Sequence, residues 1–185
     1  MLHMEQKSYS MEIVNLLLKE DNHIRGLAKK LKINHMTILR RTKELTKANV
    51  VDYKKEGKNN VYFLKKTVEA RTYAIMAESY KLFMLIKKYP NLRRIIEKIQ
   101  KNNKVELAIL FGSYAKGLAK KDSDIDIYVE TNNKKIKKEL GMLDSKLSVK
   151  IGKYNKNALL IKEIEKNHII IKGIEKYYEK NKFFY

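Results

Sequence analysis

The stretch FGSYAKGLAKKDSDIDIYVE, residues 111–130, decides how the chain is read. The apolar run VELAILF over 105–111 predicts a buried strand that ends at Gly112-Ser113, where a helix over about 113–119 begins. A helix start presents unpaired backbone N–H groups and the positive end of the dipole, a natural seat for phosphate. Gly112 permits close backbone approach and Ser113 adds a hydroxyl. Eleven residues after Ser113, Asp124-Ile125-Asp126 opens a strand over 124–130. Alternation puts both Asp side chains on one face and Ile125, Ile127 and Val129 on the other. Two neighbouring carboxylates at a strand end attract a hard cation such as Mg²⁺, with Mn²⁺ as a substitute. Such a cation can bridge nucleotide phosphates and activate an attacking oxygen.

This strand, glycine turn, spacer and Asp-x-Asp together resemble the polymerase-β-like nucleotidyltransferase superfamily, and most of all its minimal members, over about residues 91–185. The resemblance implies Mg²⁺-dependent transfer of a nucleoside monophosphate from a nucleoside triphosphate to a hydroxyl acceptor, which can be a protein. It implies that Gly112 and Ser113 hold the triphosphate and that Asp124 and Asp126 bind metal and are catalytic. Lys116 stands where an Arg is common, near phosphate. Ser123 either touches phosphate or caps the turn. Asp122 reads as a turn residue.

One part of the pattern breaks. The superfamily usually carries a third carboxylate on a later strand, as metal ligand and base. The matching strand is LSVKIG, 147–152. Leu147, Val149 and Ile151 should face the helices, so Ser148 and Lys150 share the side of the two Asp, and neither is acidic. Asp144 precedes that strand. Glu106 lies about 17 Å from Phe111 along an extended strand. The chain is therefore read either as an active enzyme whose base is absent, supplied by the substrate or replaced by Asp144, or as a degenerate domain in which Lys150 competes with metal.

The N-terminal region follows another pattern. Helices are expected over about 7–20, from Asn22 as N-cap to Leu31, and over 35–48 with Asn34 as cap. Asn49 should sit in the left-handed helix stop. Val50–Tyr53 and Val61–Leu64 read as strands around the turn segment KKEGKNN. GLAKKLKINHMTILRRTKELTKANVV resembles the helix-turn-helix of winged-helix transcription regulators, with the hairpin as wing. Leu27, Ala28, Leu31, Ile33, Ile38 and Leu45 fall where such modules pack. Thr42 stands where a larger apolar residue is expected and Leu39 where a polar one is usual. The resemblance implies double-stranded DNA as partner. His35, Met36, Thr37, Arg40 and Arg41 would lie at base edges, with Lys43 and the wing residues Lys54, Lys55 and Lys58 at phosphates. A protein-docking role is the alternative.

The fold class expected is α+β. It comprises a winged helix-turn-helix over 1–66, a connecting helix over 67–90 and a nucleotidyltransferase domain with a small mixed sheet over 91–185. Pro90, the lone proline, ends the connector, and a helix over 91–101 follows. Further helices are expected near 132–143, 157–167 and 173–182, with a strand at 168–172. The 185 residues carry 41 Lys+Arg against 21 Asp+Glu, +20 in all. That surplus favours polyanionic partners. It is spread as +8 over residues 1–66, +4 over 67–100 and +8 over 101–185, so no single tail explains it. With 35 of the 41 basic residues Lys, codon composition accounts for part of it. Zero cysteines exclude disulfides and thiolate metal sites. The histidines, at 3, 23, 35 and 168, are too scattered for a metal site. No apolar run is long enough to span a membrane and no signal peptide is read, so a cytoplasmic location is expected.

Three functions compete: a DNA-associated nucleotidyltransferase, a non-catalytic winged-helix regulator with a degenerate C-terminal domain, and an antitoxin-like partner of a HEPN-type toxin. Such a toxin would be a separate chain, because no Arg here is followed by a His with four to six residues between them. Apolar positions on the connecting helix leave a homodimer open.

Overall fold

The computed structural model describes residues 8–184. The helix start expected at residue 7, His3 and the first residues of the expected 1–66 domain lie outside them. The described residues form two compact units, 8–77 with 184, and 78–183.

In the first unit, α1 (Tyr9–Leu17) is followed by β1 (Asn22–His23), α2 (Ile24–Leu31) and α3 (His35–Lys47). Then come the strands β2 (Val51–Glu56) and β3 (Asn59–Leu64). Ile13, Val14 and Leu17 of α1, Leu27 and Ala28 of α2, and Ile38 and Leu45 of α3 are buried together. Burying side chains of this size contributes about 1.5–3 kcal/mol each before entropy is counted. The turn between α2 and α3 is made by Lys32 in the left-handed region (φ 55°) and by the Asn34 side chain, which accepts from Met36 N at 2.8 Å. Asn49 takes φ 60° as the helix stop. It ties three segments: its Nδ2 donates to Glu69 at 3.2 Å, its carbonyl accepts from Thr67 Oγ1 at 2.7 Å, and its Oδ1 accepts from Lys65.

Asn22 is not the N-cap of α2. It belongs to β1, which pairs antiparallel with β3 through Asn22↔Tyr62 and His23↔Val61, and His23 takes the cap position. The free edge of β3 supplies backbone partners that outweigh a capping side chain. The wing is also longer than expected. Lys54, Lys55, Asn59 and Asn60 lie in strands, paired from Val51↔Leu64 to Glu56↔Asn59. That leaves a two-residue turn, Gly57-Lys58. Gly57, first of the two, has φ 60°, the arrangement of a type II′ hairpin turn. The three-stranded sheet has the order β1-β3-β2.

The helix α4 (Val68–Lys88) runs across the division between the units, at Ala77/Glu78. The second unit continues with a 3₁₀ turn, Pro90–Leu92, and α5 (Arg93–Lys101). Next come β4 (Ala108–Phe111), α6 (Gly112–Ala115), β5 (Ile125–Glu130), α7 (Lys134–Gly141) and β6 (Leu147–Gly152). The unit ends with α8 (Leu159–Lys166), β7 (Ile169–Lys172) and α9 (Ile174–Asn181). The strands order as β6-β5-β4-β7, antiparallel except for the parallel pair β5/β6, whose crossover is α7. One sheet face carries Ala108, Leu110, Ile125, Ile127, Val129, Leu147, Val149, Ile169 and Ile171. It packs on Ile95, Ile96 and Ile99 of α5 and on Ile136 and Leu140 of α7. The other face is also closed along most of its length: Ile109, Tyr128 and Ile170 are buried, and Tyr128 donates to Gly152 O at 2.9 Å. On that face Asp126 at the start of β5 and Ser148 of β6 are partly accessible, and Lys150 is exposed. The protein is thus α+β. No helix among the described residues is long and apolar enough to cross a membrane.

Candidate active site and nucleic-acid interface

Asp126 enters the site because β4 and β5 pair as Phe111↔Asp126, so the residue after Phe111 lies against it. Gly112 has φ 70°, a left-handed conformation. A Cβ there would come within 3.3 Å of Asp126 Cγ and would overlap Oδ2. Backbone and carboxylate are therefore in contact because residue 112 has no side chain. Asp124 stands one residue before β5 and is exposed, while Asp126 is half-buried. Burial first, and then the Asp124 carboxylate, push the Asp126 carboxyl above its usual range. Lys150 and the Ser148 hydroxyl pull the other way.

The parallel register Asp126↔Ser148 and Tyr128↔Lys150 puts Ser148 beside Asp126 on the neighbouring strand. Of the two positions on this strand at which a third acid was sought, Ser148 is the one paired with Asp126, and Lys150 pairs with Tyr128. Asp144 does not replace it, because its Oδ1 accepts from Lys146 N at 2.8 Å and closes the turn into β6. Glu106 pairs with Lys176 and takes no part. Asp122 is an exposed turn residue with Lys146 Nζ at 3.8 Å. Ser123 closes its own turn: its Oγ accepts from Lys120 N at 2.8 Å. The helix expected over 113–119 is a single turn, Gly112–Ala115, because Gly117, with φ 70°, leaves the helical region. A helix this short has little macrodipole, so any anion held here would depend on individual backbone N–H groups.

Lys116 follows that turn, its Nζ 3.9 Å from Glu163 Oε1 of α8. Glu163 also adds to the negative field at Asp126. Sequence reasoning missed Glu163. It is one polar position of an amphipathic helix whose Ile161 and Ile164 are buried, and no spacing marks it. Among the described residues no group of three acidic or His side chains converges as a complete metal cage. The Asp124–Asp126 pair still fits Mg²⁺, which is commonly held by one or two carboxylates plus substrate phosphates. A divalent charge would relieve the repulsion that raises Asp126.

On the first unit, the predicted DNA-facing residues do not all share one surface. His35, Met36, Arg40 and Lys43 are exposed on α3, and Thr37 is half-buried. Arg41 turns aside to Glu44, 2.8 Å away. Lys54 is engaged by Asp21 at 3.3 Å and Glu56 at 3.1 Å, whereas Lys55 and Lys58 are exposed on the wing. Leu39, at a position where a polar residue is usual, sits partly exposed between Met36 and Arg40 along the helix, and Thr42 is fully buried.

Residues 93–177 match the family model described as polymerase beta, nucleotidyltransferase. No curated protein matches the chain. Among solved structures, the chain is similar to the homodimeric winged helix-turn-helix DNA-binding domain Mb0332 of Mycobacterium bovis, at 20% identity and TM-score 0.35. That match covers 38% of this chain and 65% of that one. It is also similar to the adhesin competence repressor of Streptococcus pyogenes, at 19% identity and TM-score 0.41, covering 50% and 69%. A third is the PcaV transcriptional regulator of Streptomyces coelicolor, at 16% identity and TM-score 0.36, covering 52% and 79%.

Proposed function

We propose that the protein is a Mg²⁺-dependent nucleotidyltransferase carried on a DNA-binding winged helix. The observation that carries the reading is the contact of Gly112 with Asp126 beside Asp124, within the residues that match the nucleotidyltransferase family model. Asp124 and Asp126 would hold the ion. When bound, Mg²⁺ supplies charge neutralisation of the triphosphate and activation of the attacking oxygen. The N–H groups at Gly112 and Ser113, with the Ser113 hydroxyl, orient phosphate oxygens, and Lys116 offers an ammonium once it leaves Glu163. The acceptor oxygen forms a bond to the α-phosphorus as the bond to pyrophosphate breaks, and the acceptor proton passes to solvent or to the leaving group. The exposed face of α3 and Lys55 and Lys58 of the wing support duplex DNA as the partner of the first unit.

The test is incubation with Mg²⁺, labelled ATP, CTP, GTP or UTP, and candidate hydroxyl acceptors. Transfer of label that disappears in Asp126→Ala is expected. Absence of both transfer and Mg²⁺-dependent nucleotide binding would overturn the reading. A second reading, a regulator whose domain binds nucleotide without transfer, is favoured by Ser148 and Lys150 occupying the strand where an acid is usual. Nucleotide binding without label transfer would select it.

A further inference from the structure

The outward stripe of α3 is not uniformly basic. Met36, Leu39, Arg40, Lys43 and Lys47 recur at three- and four-residue steps and, with Glu44, line one depression on the surface. Met36 is 58% exposed and Leu39 partly so. Single exposed apolar residues are ordinary. Two on successive turns, at the start of a helix whose later outward positions are cationic apart from Glu44, form a surface with a divided chemistry. The start of such a helix approaches base edges and its later turns approach phosphates. The sole acid of the stripe, Glu44, is neutralised by Arg41.

Resting on the DNA-binding reading above, we infer that Met36 and Leu39 read thymine 5-methyl groups in the major groove, while Lys43 and Lys47 hold the flanking backbone. Apolar side chains recognise that methyl group by contact, and no other base edge in the major groove presents one. The ring of cations favours a polyanion over a protein partner for the same patch. Arg40 remains as the side chain able to pair with guanine, since Arg41 is turned to Glu44, so the preferred site contains thymine steps beside a guanine.

The experiment uses the full chain and a randomised duplex pool, carried through rounds of binding and sequenced. The best-bound duplex is then remade with deoxyuridine in place of thymidine, which deletes the methyl and nothing else. The expected result is enrichment of thymine in the selected sites and a loss of about fourfold in affinity per contacted methyl. Leu39→Ala, and separately Met36→Ala, should bind the two duplexes with a smaller difference than the parent. Equal affinity for thymidine and deoxyuridine duplexes would overturn the inference while leaving DNA binding intact. Failure to retain any duplex would overturn the DNA reading itself, and with it this inference.

Discussion

Gly112 and Asp126 occupy space that a single added carbon would make impossible to share, since a Cβ on Gly112 would overlap the Asp126 carboxylate. Gly112→Ala therefore meets two costs: the left-handed backbone, about 1–2 kcal/mol for a residue with a Cβ, and displacement of the carboxylate. The expected outcome is a lower Tm together with loss of Mg²⁺-dependent nucleotide binding by calorimetry. A variant that melts lower and binds normally would show that the contact is architectural alone.

Asp126 is predicted to oppose folding when ionised. Its carboxyl is raised, by burial and then by Asp124, so the folded state holds the proton more tightly than the unfolded chain. The stability this group contributes is fully present below the unfolded carboxylate value, about 3.9, and is lost as pH rises through the folded value. Asp126→Asn should melt a few degrees above the parent at neutral pH in EDTA, with the gap closing as the pH falls. Added Mg²⁺ and nucleotide should stabilise the parent and not the variant. Equal melting at both pH values would remove the electrostatic account.

Ser148→Asp would place an acid one strand away, about 4.8 Å across the parallel pair from Asp126. Affinity for Mn²⁺ with nucleotide should rise by about tenfold, the equivalent of one charged contact of about 1.4 kcal/mol. Lys150→Ala should act in the same direction. Titration calorimetry checks both, and unchanged affinity would place β6 outside the site.

For the wing, the structure separates lysines that the sequence groups together. Lys54 is already neutralised by Asp21 and Glu56. Lys55→Ala and Lys58→Ala should each flatten the log–log salt dependence of DNA binding by about 0.9, the value for one phosphate contact, and Lys54→Ala by less. Three equal slopes would sink the distinction.

Thr42 is fully buried in α3, and among the described residues its hydroxyl has no partner. Thr42→Val keeps the shape and removes an unsatisfied polar group. It should stabilise the first unit by about 1 kcal/mol in urea unfolding. A decrease would show that the hydroxyl is solvated.

Much of this was legible in the sequence because alternation and periodicity are local. The strand expected over 147–152 is found over those six residues, and Asn34 and Asn49 hold the cap and the stop assigned to them. What failed depends on partners distant in the chain. Asn22 becomes a strand residue because β3, some 40 residues on, offers it a backbone edge. The strand expected from 105 begins at Ala108, where pairing with both β5 and β7 begins. At the candidate site, the Gly112 turn and the nearness of Asp126 to it follow from motif and parity, while Asp124, expected inside the strand, stands one residue before it. Glu163 and the neutralised Lys54 were not, since each is defined by a side chain that only tertiary structure brings near.

The Asn49 corner has a consequence for how such a protein changes over time. It fastens the end of α3, the exit of the wing and the start of α4 to one another, so the hairpin hangs from a closed base. Lengthening it at Gly57-Lys58 would cost little, about 0.6 kcal/mol per doubling of loop length, and would leave α3 where it is. If the first unit binds duplex DNA as proposed, base preference would reside in one segment and the width of the footprint in another, and the two could drift independently.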